Sequence, residues 1–147
     1  MKILIFVENN VLNSNNFEPI EGAKEKIQEW MGLGAQVEFI TGIYKFLDLK
    51  NLTDEIKKLD ISEPKIHAKQ EGEKYLDIID QVSPDILIEN EFNSGEEKLC
   101  KDRIKPETKI ACIVLRSGQS LKNLAVDPKE IKEDALEKDE VPNDQTY

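Results

Sequence analysis

Apolar residues run unbroken from Ile3 to Val7 and stop abruptly at Glu8-Asn9-Asn10. A run without polar alternation predicts a strand buried on both faces, central in a parallel sheet. Further strands are predicted at Gln36–Ile40, ending in Thr41-Gly42, at Asp85–Ile88, ending in Glu89-Asn90-Glu91, and at Lys109–Leu115, closed by Arg116-Ser117-Gly118. A shorter stretch within Ile61–Ala68 carries Pro64 and Lys65, which suit an edge strand. Between these runs the apolar spacing changes to steps of three and four. Ile20, Ala23, Ile27, Trp30 and Met31 predict a helix opened by Pro19 and closed at Gly32-Leu33-Gly34. Phe46, Leu49, Leu52, Ile56 and Leu59 predict a second helix within Tyr44–Leu59. Tyr75, Ile78, Ile79 and Val82 predict a third, from about Glu71 to Ser83-Pro84. Asn13 to Asn16 reads as a loop bordering the first strand, and Glu96 to Arg103 as a short helix or loop after an Asn93-Ser94-Gly95 turn.

Strands alternating with helices predict an α/β fold with a doubly wound parallel sheet. In such sheets ligands bind beyond the carboxyl ends of the strands, where strand order reverses. The polar groups at those ends, Glu8, Asn9 and Asn10 above all, are therefore the first candidates for a site.

A family resemblance rests on the same places. The apolar strand, the polar loop, Val11-Leu12, then Pro19-Ile20-Glu21-Gly22-Ala23-Lys24 and Phe39-Ile40-Thr41 together resemble the haloacid dehalogenase-like (HAD) phosphatase superfamily. The resemblance spans about Lys2 to Leu115. It implies a three-layer doubly wound sheet of order 5-4-1-2-3, no sizeable cap domain, and a site between strands 1 and 4. Members carry Asp-x-Asp-Gly-(Thr/Val)-Leu after the first strand. Setting Val11-Leu12 on the end of that motif puts Val7 at the nucleophilic aspartate, Asn9 at the second aspartate and Asn10 at the glycine. Valine has no atom that can attack phosphorus. A register shifted by one puts Glu8 at the nucleophile and Asn10 at the acid, and loses the match at Val11-Leu12. Thr41 matches the lone Thr or Ser that binds phosphoryl oxygens. Lys74 is the best positional match to the phosphate-neutralising lysine, with Lys69 the runner-up. Asn90-Glu91 stands where the family has a paired acidic motif that holds Mg²⁺.

The resemblance thus implies a HAD-like protein of the phosphatase and hydrolase superfamily without standard phosphatase activity, keeping its pocket for binding or regulation. The catalytic-equivalent positions are Glu8, Asn9, Thr41 and Lys74, and Asn90 and Glu91 form a weak Mg²⁺ site at best. A small phosphorylated ligand is the implied partner, and Mg²⁺ the one cofactor in question. The alternatives are a divergent Mg²⁺-dependent phosphohydrolase using Glu8 as nucleophile, and an acidic module that docks a protein partner.

Charge and composition narrow the partners. With 147 residues the chain suits one domain. Acidic residues number 30 against 20 basic, a net charge of −10 that repels nucleic acid and anionic membranes. No apolar stretch reaches transmembrane length or makes a signal-peptide core, so a soluble cytoplasmic protein is expected. Cys100 and Cys112 lack metal-ligand or CxxC spacing, and His67, the single histidine, has no ligand-spaced partner. Residues 127–147 hold eight acids and three lysines, half the net charge, and read as an acidic, partly disordered tail to a domain spanning 1–126. Ile131, Ala135 and Leu136 could form a turn or two of helix within it.

Overall fold

The computed structural model describes residues 1–91 and 99–140, the last four of these in backbone only. Five strands, β1 (Lys2–Phe6), β2 (Gln36–Thr41), β3 (Ile66–Ala68), β4 (Ile86–Asn90) and β5 (Ala111–Leu115), pair in parallel as one sheet in the order β3-β2-β1-β4-β5. The β1 segment is central, as its two-sided apolarity requires. Ile3, Ile5 and Val7 enter one core cluster, and Leu4 and Phe6 enter the other. Helices α1 (Ala23–Gly32), α2 (Phe46–Lys57) and α4 (Pro128–Glu140) contribute to the first cluster; α3 (Tyr75–Val82) and the 3₁₀ turn Cys100–Arg103 contribute to the second. The molecule is a three-layer α/β protein.

Three features differ from the sequence expectation. Helix α1 begins at Ala23 rather than Pro19, because Pro19 and Ile20 are held by the loop after β1: Leu12 bridges Pro19, and the Ile20 N–H donates to the Val11 carbonyl at 2.9 Å. The chain then turns at Gly22, φ 84°, where an added Cβ would lie 2.7 Å from the Lys122 Cβ. In α2 Leu52 and Ile56 are buried, but Phe46, the first residue of the helix, is 79% exposed, as is its neighbour Leu47 at 70%.

The third difference concerns the segment read as a tail. Its residues from Pro128 to Glu140 form α4, and Ile131 and Ala135, 4% and 6% exposed, pack into the first core cluster. Packing therefore does not stop at residue 126. The expected turn at Asn93-Ser94-Gly95, and residues 141–147 of the segment expected to be partly disordered, lie outside the described residues.

Candidate functional site

The β1 chain leaves the sheet through a tight wrap. The Val7 carbonyl accepts from the N–H groups of Asn10, Val11 and Leu12 at 3.3, 3.0 and 3.1 Å, and the Asn9 N–H donates to the Leu12 carbonyl at 2.7 Å. Asn9 adopts φ 66°, a left-handed conformation that asparagine tolerates better than most residues. The wrap buries Val7 wholly among the core residues and turns Glu8 toward β2.

Glu8 is held from that side. The Thr41 hydroxyl donates to Glu8 Oε1, the Gly42 N–H lies 3.4 Å from Oε2, and the Ile43 N–H donates to the Thr41 oxygen at 3.1 Å. Thr41 is fully buried and Glu8 nearly so. Burial pushes the Glu8 carboxyl above its ordinary range, against the lowering effect of the Thr41 and Gly42 bonds. Gly42 has no room for a side chain, because a Cβ there would stand 2.4 Å from the Tyr75 hydroxyl.

On the β4 side the amide of Asn90 closes over the same wrap. Its Nδ2 lies 3.4 Å from the Asn9 carbonyl and 3.2 Å from Asn10 Oδ1. Asn10 is completely buried, and among the described residues its Nδ2 has no hydrogen-bond partner. An unpaired buried donor costs about 1–3 kcal/mol.

The structure thus brings Glu8 to Thr41, and Asn90 to Asn9 and Asn10. It draws Glu91 elsewhere: the Ser117 N–H donates to one Glu91 oxygen at 2.8 Å, and Arg116 lies 3.3 Å from the other. Lys74 precedes α3, its N–H 3.3 Å from Asp77 Oδ2. Lys69 donates to the Glu73 carbonyl at 3.1 Å and lies 5.3 Å from the Tyr75 ring centre.

Magnesium asks for several oxygens converging at close range. Asn90 presents its nitrogen to the crevice residues, Glu91 faces the β5 loop, and Val7 offers only its carbonyl, already taken by the wrap. These residues do not fit that ion. Among the described residues, no cluster of three or more His, Cys, Asp or Glu side chains is placed to hold a metal.

Two buried acids escaped the sequence reading. Glu38 is 1% exposed on β2; His67 Nε2 lies 2.7 Å from Oε1, and Gln36 donates to Oε2 at 2.6 Å. Glu89 accepts the N–H groups of Cys100 and Lys101 at 3.0 and 2.8 Å and so ties the 3₁₀ turn to β4. Burial holds the Glu89 carboxyl above its usual range despite those bonds. The available signal was a charged residue inside a strand whose two faces must both be covered.

The fold defines the class as an α/β protein with a five-stranded all-parallel sheet. No family model matches the chain, and neither a curated protein nor a solved structure is found to match it.

Proposed function

We propose that this chain is a HAD-like protein without standard phosphatase activity, which keeps the crevice between β1 and β4 to bind a small ligand in a binding or regulatory role. The sheet order supports the kinship, since β3-β2-β1-β4-β5 counted from the other edge is 5-4-1-2-3. The carrying observation is the state of Glu8. A nucleophile must present a free oxygen to its substrate. Both Glu8 oxygens instead meet donors of their own chain, and Val7, at the nucleophile's place in the register that keeps the match at Val11-Leu12, lies inside the core.

The test is hydrolysis of p-nitrophenyl phosphate by purified protein. The wild type should release nitrophenol no faster than a Val7→Ala variant, with or without Mg²⁺. Robust Mg²⁺-dependent turnover abolished by Glu8→Gln would favour the divergent phosphohydrolase instead.

A further inference from the structure

The two edges of the sheet are protected differently. At one edge β3 is three residues long, follows Pro64-Lys65 and carries His67 in its middle. Short length, proline and charge are the usual guards against an added strand. At the other edge β5 reads Ala-Cys-Ile-Val-Leu, five residues with neither proline nor charge. The ladder to β4 fixes which of its backbone groups are used. The Ala111 N–H donates to the Asp85 carbonyl and the Glu91 N–H to the Leu115 carbonyl, each at 3.0 Å, so Ala111, Ile113 and Leu115 bond toward β4. The N–H and C=O of Cys112 and Val114 therefore point outward. Those of Val114 have no hydrogen-bond partner among the described residues. Beyond Val114 the edge is stopped, where the Arg116 N–H donates to Gln119 Oε1 at 2.9 Å.

This edge is the floor of a groove. A cavity of about 350 Å³ is lined by the whole stretch Cys112–Arg116, by Ile131, Asp134 and Ala135 of α4, and by Lys101 of the 3₁₀ turn. Helix α4 packs on one face of β5 with the first core cluster, and the turn packs on the other face with the second. We propose that the groove binds an extended peptide of a partner protein, which adds to β5 as a strand through Val114 and alternates apolar with acidic side chains. Outward ladder groups on a strand edge are met by another backbone in extended form. Successive side chains of that strand then point to opposite walls. The α4 wall presents Ile131 and Ala135 beside Asp134, which suits apolar residues and repels acids. The opposite wall carries Lys101, and Arg116 stands at the carboxyl end of the strand, so acids belong on that side. The chain's remaining negative charge counts for less there, because charges beyond about 8 Å are largely screened at physiological salt. A second copy carries the same walls around its own β5, which keep the two edges apart, whereas a single extended chain enters between them.

The probe is acetyl-Glu-Val-Glu-Val-Glu-amide, titrated into the full ¹⁵N-labelled chain and followed by ¹H–¹⁵N NMR. The backbone amides of Cys112 to Arg116 should shift saturably, and solvent exchange of the Val114 amide should slow at least about tenfold at saturation, the effect of one hydrogen bond. Two modified peptides test the ladder, one N-methylated on both valines and one on the central glutamate, since only one of these sets of N–H groups faces β5. One peptide should bind at least about tenfold more weakly, and the other as well as the parent. Equal affinity, or equal loss, in both would overturn strand addition. Acetyl-Lys-Val-Lys-Val-Lys-amide should bind about threefold more weakly than the acidic probe, as read at Val114; equal or tighter binding would overturn the acidic assignment. No shift from any peptide up to about 1 mM would remove the groove as a peptide site. A Val114 amide already protected in the free chain would also defeat the proposal: protection at every protein concentration would mean that the chain fills its own groove, and protection only at high concentration that a second copy does.

Discussion

Glu38 is a carboxylate with almost no exposure, and its neighbours set its charge. Burial by itself raises its pKa, but the His67 hydrogen bond and the charges of Lys2 and Lys65 outweigh burial and hold the carboxyl below its ordinary range. A group whose folded pKa is depressed stabilises the fold above its unfolded pKa, and the contribution is lost as pH falls through the folded value. His67→Ala should therefore cost about 1–3 kcal/mol at neutral pH, the penalty of leaving a buried acceptor short of its partner. Urea unfolding followed from neutral to acid pH should show the variant's deficit shrinking as pH falls through the folded Glu38 value; an unchanged midpoint at neutral pH would count against the network. Glu8 has the opposite sign. Its raised pKa makes its contribution complete below the unfolded value and lost as pH rises through the folded one. Glu8→Gln, which keeps an acceptor for Thr41, should thus gain stability relative to wild type at neutral pH and lose that advantage in acid. An equal loss at both pH values would show that the carboxylate's bonds, not its burial, dominate. The partnership of Glu38 and His67 was not legible along the chain, because Gln36-Val37-Glu38-Phe39-Ile40 alternates like a strand with one wet face. Only the strand register, with Glu38 beside Leu4 and His67 beside Ile40, makes the acid and the histidine neighbours.

Among the elements, the strands were legible and the helix ends were not. A two-sided apolar run such as Ile3–Val7 has one stable place, the middle of a covered sheet. Helix boundaries depend instead on contacts between distant residues. Proline at position 19 is a sound local signal for a helix start, yet Leu12 and Val11 claim that stretch and Gly22 makes the turn. Gly22→Ala should lower stability by about 1–2 kcal/mol for the left-handed backbone alone, with more from the approach of Lys122. A melting temperature equal to wild type would mean that the turn relaxes freely. Helix α4 was legible only as the turn or two suggested by Ile131, Ala135 and Leu136; its full length and its packing were hidden by composition, since its buried surface comes from few residues in a strongly charged segment. Ile131→Ala should cost about 2–5 kcal/mol, as for other buried large-to-small changes. A cost near zero in chemical denaturation would restore the segment to the role of a solvated tail.

For the molecule as a whole, the candidate site was legible in place more than in state. The carboxyl ends of β1, β2 and β4 could be located from where each apolar run stops, and Glu8, Thr41, Asn9 and Asn90 do gather there. Which way each side chain turns could not be read, because that depends on pairing across loops. Asn90 offers nitrogen where the resemblance implies a metal-binding oxygen, and Glu91 leaves for Arg116 and Ser117. Overall acidity attracts divalent cations diffusely, but diffuse attraction does not replace converging ligands, and magnesium sheds its waters reluctantly. Magnesium at about 1 mM, below its expected dissociation constant, should therefore stabilise the fold by less than RT ln 2, roughly 0.4 kcal/mol. Thermal unfolding with Mg²⁺ and with chelator should then superimpose. Titration calorimetry that found micromolar Mg²⁺ affinity, removed by Glu91→Gln, would mean that Glu91 exchanges Arg116 for the ion and that the crevice is a metal site after all.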